Sequence, residues 1–184
     1  SCRLSRSWWR MCCDNKELDK KEQWEYFVNI EKLTKGIPLQ HITHSQEFMK
    51  MDFYVNENVL IPRPDTEILV EEVIKIAKKI NKPKILDLCT GSGAIAISIA
   101  KNVENAEVFA IDISGKALDV AKKNDKSLGG KVRFIKSNLF EKLPKTKFDI
   151  IVSNPPYIRK EEITKLSNEV QKEPEIALNG GIDG

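Results

Sequence analysis

The sequence has 184 residues, of which 41% are hydrophobic and 31% charged, and its formal net charge is +3. This length and composition fit one soluble α/β domain with a small additional part, and they exclude a disordered chain. No apolar run is long enough to cross a bilayer, so no membrane association is expected. The weak net charge disfavours a nucleic-acid partner on composition alone.

The amino-terminal stretch, residues 1–16, differs in composition from the rest of the chain. It follows no helical or strand period and lacks the apolar segment of a signal peptide, so we assign it to no domain, as an artificial, processed or misread start. It holds three of the four cysteines, Cys2, Cys12 and Cys13, and the fourth is Cys89. Since no metal-ligand spacing occurs among them, we predict reduced thiols, a cytoplasmic location and no metal site.

Residues 17–62 are predicted to form a small helical and β-hairpin part. Apolar residues at helical spacing predict a helix over 17–35, and its Trp24 and Phe27 are expected to be core or domain-contact residues. Alternating apolar and polar residues over 47–60 predict a β-hairpin or short strand pair, with a polar break at Asn56-Glu57-Asn58.

From residue 63 onward, short apolar segments alternate with helical ones, and we assign 63–184 to a second domain. Its first helix is predicted over 65–80, capped by Asp65 or Thr66. The remaining elements are predicted in this order: strand 84–88, helix 93–101, strand 107–112, helix 115–127, strand 132–135, strand 148–153 and helix 160–172. Strands separated by helices imply right-handed βαβ units and a buried parallel sheet.

The loop over residues 87–93, Asp-Leu-Cys-Thr-Gly-Ser-Gly, leaves the first of these strands and opens a helix. Its glycines let the backbone approach a ligand closely, and the helix start offers unpaired N–H groups. The second strand ends at Asp112, whose carboxylate can accept hydrogen bonds from both hydroxyls of a ribose. This spacing predicts a nucleoside-cofactor site. It also fits the dinucleotide fingerprint, so a nicotinamide or flavin enzyme stays open at this point.

The fourth strand of the second domain runs directly into Asn154-Pro155-Pro156-Tyr157. In an open parallel sheet, ligands bind beyond the carboxyl ends of the strands, so this tetrapeptide and the glycine loop are expected to face one crevice. The Asn154 side-chain oxygen and the Pro155 carbonyl can each accept one hydrogen of a planar NH2 group. Tyr157 offers a flat face to an amide or a base. The pattern favours chemistry on an amide or amino nitrogen.

Taken together, the glycine loop, Asp112 and the Asn-Pro-Pro-Tyr segment resemble class I amino-group methyltransferases that use S-adenosyl-L-methionine. Three further segments are similar to the release-factor glutamine methyltransferases of the HemK type: residues 36–42, 60–67 and 173–178. The resemblance covers residues 32–184 and implies a Rossmann-like parallel sheet. It also implies that peptide-chain release factors, through the glutamine of a Gly-Gly-Gln loop, are the substrates of a monomeric enzyme.

The same resemblance implies a role for individual residues. The cofactor would be bound by Asp87, Cys89, Thr90, Gly91, Ser92, Gly93, Asp112, Asn138, Leu139 and Asn154. The substrate glutamine would be bound by Asn154, Pro155, Pro156 and Tyr157. Arg63 has two interpretations, as a solvent-facing linker residue or as a residue that positions the substrate loop.

The chain departs from the family pattern in three respects. Cys89 stands where the family generally has Gly, and Asn138 stands where it usually has Asp. The amino-terminal substrate domain is represented by about one helix, and the strands expected after Gly184 are absent, so we predict a sheet that is incomplete at its carboxyl end. Two other functions stay open: an adenine-N6 or guanine-N2 nucleic-acid methyltransferase, and a non-catalytic fragment that serves as a binding module.

Overall fold

A computed structural model describes residues 18–184 of the chain. The unassigned stretch 1–16 and the first predicted helical residue, Glu17, lie outside the described residues. So do Cys2, Cys12 and Cys13, and the predictions made for them.

Short helices and strands alternate along the described part of the chain. Its helices are α1 (Lys20–Thr34), α2 (Leu39–Thr43), α3 (Asp65–Ala77), α4 (Ala94–Asn102), α5 (Gly115–Leu128), α6 (Lys160–Ile163) and α7 (Glu175–Leu178). Its strands are β1 (Gln46–Phe48), β2 (Met51–Phe53), β3 (Lys84–Leu88), β4 (Glu107–Asp112), β5 (Arg133–Lys136), β6 (Ile150–Ser153), β7 (Ile158–Arg159) and β8 (Asn179–Gly181). None of the helices between residues 18 and 184 combines the length and the apolar character needed to span a membrane.

The central sheet has four parallel strands in the order β5-β4-β3-β6. The predicted α/β fold with a Rossmann-like sheet is confirmed, and the observed strand ends lie within two residues of the predicted ones. β3 and β4 are buried on both faces because their sequences are almost continuously apolar. The sheet therefore forms the centre of the molecule, and the carboxyl ends of its strands share one edge.

Neighbouring residues of β3 belong to different hydrophobic clusters because side chains alternate along a strand. Ile85 packs in the larger cluster with apolar residues of α3 and α4. Leu86 packs in a smaller one with Phe109 and, from the segment after β5, Leu143 and Phe148. The helices α3 and α4 thus cover one face of the sheet, and chain segments without long helices cover the other.

The hairpin of the amino-terminal part is shorter than predicted. β1 and β2 pair antiparallel, which confirms the strand pair, but the turn lies at Met49 and Lys50 and not at residues 56–58. Both turn residues have positive φ angles, 49° and 61°, as a two-residue primed turn requires. The Met49 backbone N–H donates a hydrogen bond of 2.7 Å to the Glu67 carboxylate on α3. A contact with α3 therefore helps to hold a turn that lacks the usual Asn or Gly.

Two expectations about the helices before residue 80 do not hold as stated. Trp24 and Phe27 are 70% and 65% exposed, and α1 has no buried residue, so these aromatic residues do not belong to the core of the described part, and a domain contact stays a prediction. α3 begins after Pro64 without a side-chain cap from Asp65 or Thr66.

The predicted helix over 160–172 is also interrupted. It is reduced to α6 and a 3-10 turn, Val170–Lys172. The side-chain amide of Gln171 donates hydrogen bonds to the carbonyls of Thr164 and Leu166, at 3.1 and 2.8 Å. These carbonyls are therefore satisfied by a side chain, and the chain turns between them without continuing as a helix.

A candidate cofactor cleft and an adjoining cavity

The glycine loop after β3 has an unusual backbone. Cys89, Gly91 and Gly93 have positive φ angles of 59°, 56° and 82°. A Cβ atom added to Gly91 would find no heavy atom within 4 Å, so Gly91 faces open space. A Cβ atom on Gly93 would come within 2.9 Å of Ile97 and 3.1 Å of Ala121. Gly91 therefore leaves room for a ligand, whereas Gly93 allows α4 and α5 to pack closely.

Asp87 supports this loop from behind. Its carboxylate is fully buried and accepts a hydrogen bond of 2.6 Å from the Thr90 hydroxyl. Burial raises the pKa of Asp87 to about 7, although the hydrogen bond from Thr90 acts in the opposite direction. Asp87 does not line the cleft described below, and neither does Gly93. The structure thus places these two predicted cofactor residues beneath the loop.

Asp112 ends β4 and faces the same loop. One carboxylate oxygen accepts a hydrogen bond of 2.9 Å from the Gly91 backbone N–H, and the other accepts one of 2.9 Å from the Ser114 N–H. Ser114 in turn caps α5, because its hydroxyl accepts a hydrogen bond from the Ala117 N–H. Each oxygen of a carboxylate can accept a second hydrogen bond, so the fixed Asp112 side chain can still bind two hydroxyl groups.

A cleft of about 150 Å³ opens above these residues at the carboxyl ends of the strands. Eight of the ten predicted cofactor residues line it: Cys89, Thr90, Gly91, Ser92, Asp112, Asn138, Leu139 and Asn154. Its other walls come from the segment before α3, the start of α3, the segment after β6 and α7, and they include Asn58, Leu60, Pro62, Arg63, Thr66, Pro156, Ile176 and Ala177. The sequence segments 60–67 and 173–178 therefore meet at this cleft.

The turn after β5 forms one side of the cleft. The Ser137 hydroxyl donates to the Leu139 carbonyl and accepts from the Lys142 N–H, at 2.9 and 3.0 Å. The Asn138 side-chain amide donates a hydrogen bond of 2.7 Å to Glu141. Leu139 has a φ angle of 44° and is 51% exposed. These bonds hold an apolar side chain at the cleft beside an amide oxygen that can accept a hydrogen bond.

Asn154 lies between this cleft and a second cavity of about 330 Å³. Its amide nitrogen donates a hydrogen bond of 3.3 Å to the Thr66 hydroxyl, which leaves the side-chain oxygen to act as an acceptor. Pro156 lines the cleft, whereas Pro155 and the largely exposed Tyr157 line the second cavity. The sequence did not indicate the contact of Thr66 with Asn154, although Thr66 belongs to the segment 60–67.

Cys89 is half-buried in the cleft wall. Burial raises the pKa of its thiol, and the carboxylates of Asp112 and Asp87 raise it further. The protonated thiol is therefore a poor nucleophile at neutral pH, and Cys89 forms part of the wall and not a reactive centre.

Curated proteins that are similar to this chain include release factor glutamine methyltransferases. The enzyme of Clostridium acetobutylicum is 47% identical over 91% of this chain, and that of Borreliella burgdorferi is 47% identical over 92%. The chain spans 61% and 59% of the lengths of these two relatives.

Solved structures share the fold at lower identity. A 16S rRNA N2 methyltransferase of Thermus thermophilus, solved with AdoMet and guanosine, has a TM-score of 0.55 and 23% identity, covering 63% of this chain and 33% of its own. A SAM-dependent methyltransferase of Agrobacterium tumefaciens has a TM-score of 0.51 and 22% identity, covering 62% of this chain and 40% of its own. Residues 64–181 match the methyltransferase small domain. The chain therefore belongs to the methyltransferase small domain family.

Proposed function

We propose that the full-length protein is a monomeric enzyme that transfers a methyl group from S-adenosyl-L-methionine to the side-chain amide nitrogen of a glutamine in peptide-chain release factors. The observation that carries this proposal is the position of Asn154, which lines both the cleft and the adjoining cavity. A group bound in one cavity can thereby react with a group bound in the other. Similarity to the release factor glutamine methyltransferases supports the choice of substrate.

The residues that line the cleft support S-adenosyl-L-methionine as its ligand. Asp112 would hold the two ribose hydroxyls, and the open space above Gly91 would admit the body of the cofactor. Leu139 would contact the adenine ring, with the Asn138 side-chain oxygen accepting from its amino group. When bound, the cofactor supplies an electrophilic methyl group on a positively charged sulfur.

Asn154 and Pro155 would orient the amide that receives this methyl group. A glutamine amide nitrogen is a weak nucleophile because its lone pair is delocalised into the carbonyl. The Asn154 side-chain oxygen and the Pro155 carbonyl would each accept one hydrogen of the NH2 group, which fixes the direction of the nitrogen. Tyr157 would cover the flat face of the amide. Such positioning lowers the barrier to a direct displacement without a covalent enzyme intermediate.

The decisive experiment uses the full-length protein, a release factor and radiolabelled cofactor. We expect Asn154→Ala to lower turnover by about a hundredfold or more, a larger effect than that on the dissociation constant of the cofactor, because the lost interaction orients the reacting nitrogen. Changing the target glutamine of the release factor to Glu, which lacks the NH2 group, is expected to eliminate labelling.

Two controls separate the alternative functions. If duplex DNA or ribosomal RNA accepts methyl groups and the release factor accepts none, the protein is a nucleic-acid methyltransferase. If the full-length protein binds the cofactor and transfers no methyl group to any of these substrates, it is a binding module.

A further inference from the structure

The segments around Arg63 and Glu173 have no role in the proposed chemistry, and they meet at the buried carboxylate of Glu173. Glu173 is only 5% exposed, and its two carboxylate oxygens accept hydrogen bonds from different residues. One accepts a hydrogen bond of 2.8 Å from the Ile61 backbone N–H, and the other accepts one from the Arg63 guanidinium. Glu173 thereby fastens the segment before α3 to the segment that leads into α7.

Arg63 occupies the boundary between the cleft and the second cavity, and it lines both of them. Its side chain is 41% exposed, whereas that of its partner Glu173 is 1% exposed. A guanidinium carries five N–H donors in a rigid plane. Arg63 can therefore donate to Glu173 at one end and to a bound molecule at the other.

The surrounding charges determine which molecule Arg63 can bind. Glu173 compensates the charge of Arg63, and the only other charged residues that line the two cavities in the described part are Asp112 and Asp65. Neither cavity therefore carries excess positive charge. This environment disfavours a phosphate or a free carboxylate and favours a neutral acceptor, such as a peptide carbonyl oxygen.

We propose that Glu173 is a positioning residue that holds Arg63 at the boundary of the two cavities, where Arg63 binds main-chain carbonyl oxygens of the protein segment that carries the target glutamine. The inference rests on the proposed function and assigns to Arg63 the recognition of the polypeptide next to the reacting side chain. It also gives a shared role to the segments 60–67 and 173–178, which contact each other at the cleft.

The test measures KM and kcat of the full-length protein with a release factor, and the dissociation constant of S-adenosyl-L-methionine by calorimetry. We expect Arg63→Lys to raise KM for the release factor about tenfold or more, the scale of a lost hydrogen bond to a charged donor. Lysine retains the charge opposite Glu173 but lacks the planar set of donors. Glu173→Gln is expected to raise the same KM, and both variants should leave kcat and cofactor affinity within about threefold of the wild type.

Arg133 and Glu107 supply a matched control, since they form an ion pair of 3.7 Å in which both side chains are exposed. Arg133→Lys and Glu107→Gln are expected to leave KM unchanged. If Glu173→Gln unfolds at the assay temperature, Glu173→Asp is measured in its place, since it retains the charge but shortens the side chain that holds Arg63.

Three results would overturn the inference. An unchanged KM in Arg63→Lys would show that Arg63 does not contact the substrate. A tenfold higher dissociation constant of the cofactor in the same variant would show that Arg63 binds the cofactor carboxylate instead. A wild-type protein that methylates no release factor would refute the proposed function itself, and the inference would fall with it.

Discussion

Cys89 is the residue at which the glycine loop departs from the glycine that similar methyltransferases generally carry. Its φ angle of 59° lies in the left-handed region, which costs a residue with a Cβ atom about 1–2 kcal/mol relative to glycine. The family resemblance singled out this position, and the backbone conformation gives a physical reason for a glycine there. The loop tolerates cysteine because its side chain fits half-buried into the cleft wall.

This strain predicts the relative stability of two variants at Cys89. We expect Cys89→Gly to be more stable than Cys89→Ala by about 0.5–1 kcal/mol, because both lose the thiol but only alanine retains the positive-φ penalty. The gain is smaller than the penalty itself, since glycine has more conformational freedom in the unfolded chain. The free energy of unfolding in urea measures the difference. A more stable alanine variant would show that the loop relaxes its backbone when the thiol is removed.

Residues chosen from the sequence as ligand contacts divide into two groups in the structure. Asp112 and Asn154 line the cleft, as predicted from their places at strand ends. Asp87 and Gly93 belong to the same motif but lie beneath the loop, because a motif specifies a local backbone and does not say which of its side chains face the ligand. Thr66 was missed because its contact with Asn154 joins residues 88 apart in the chain.

The elements were predicted best where burial determines the pattern. β3 and β4 are mostly apolar and buried, and their positions follow from the sequence alone. The hairpin turn at Met49 and Lys50 could not be predicted, because a contact with Glu67 and not a turn-forming residue holds it there. The interruption of the helix over 160–172 likewise depends on the side chain of Gln171, which satisfies carbonyls that a regular helix would satisfy.

β6 is an edge strand of the four-stranded sheet in the described part of the chain. An edge strand has unpaired backbone groups on one side and invites pairing with another chain. Ile151 in this strand is 53% exposed. We therefore expect the 184-residue chain to self-associate and Ile151→Lys to weaken this association about tenfold or more, the scale of one buried isoleucine contact.

Sedimentation velocity over a range of protein concentrations measures this association. Ile76→Lys is the control, because Ile76 is 51% exposed but lies on the helix α3. Equal effects of the two lysine variants would place the contact elsewhere.

At the scale of the whole molecule, contacts between distant segments build the site, and Asn124 on α5 makes three of them. Its side-chain oxygen accepts a hydrogen bond of 2.7 Å from the Tyr54 N–H. Its amide nitrogen donates to the Tyr54 carbonyl at 3.0 Å and to the Ser92 carbonyl at 2.9 Å. Asn124 is fully buried, and it joins the segment that follows the hairpin to the glycine loop.

The sequence could not reveal this role, because an asparagine within a helix is usually exposed to solvent and carries no motif of its own. The same limitation applies to Arg63 and Glu173, which lie 110 residues apart in the chain and form a hydrogen bond with each other. The sequence therefore predicts the sheet and the loops at its edge, whereas the side chains that hold these loops against the amino-terminal part emerge only from the structure.

Removing the Asn124 side chain should accordingly affect both the stability of the molecule and its cofactor site. We expect Asn124→Ala to lower the free energy of unfolding by about 3 kcal/mol, because it leaves buried groups of Tyr54 and Ser92 without partners. Binding of S-adenosyl-L-methionine should weaken about tenfold, since Ser92 lines the cleft and loses its support. Asn102→Ala is the matched control, because within residues 18–184 that side chain donates its hydrogen bond to the Ser98 carbonyl of its own helix. Urea unfolding and calorimetric titration of both variants measure these effects, and equal losses in the two would mean that Asn124 stabilises α5 alone and does not connect the two parts of the site.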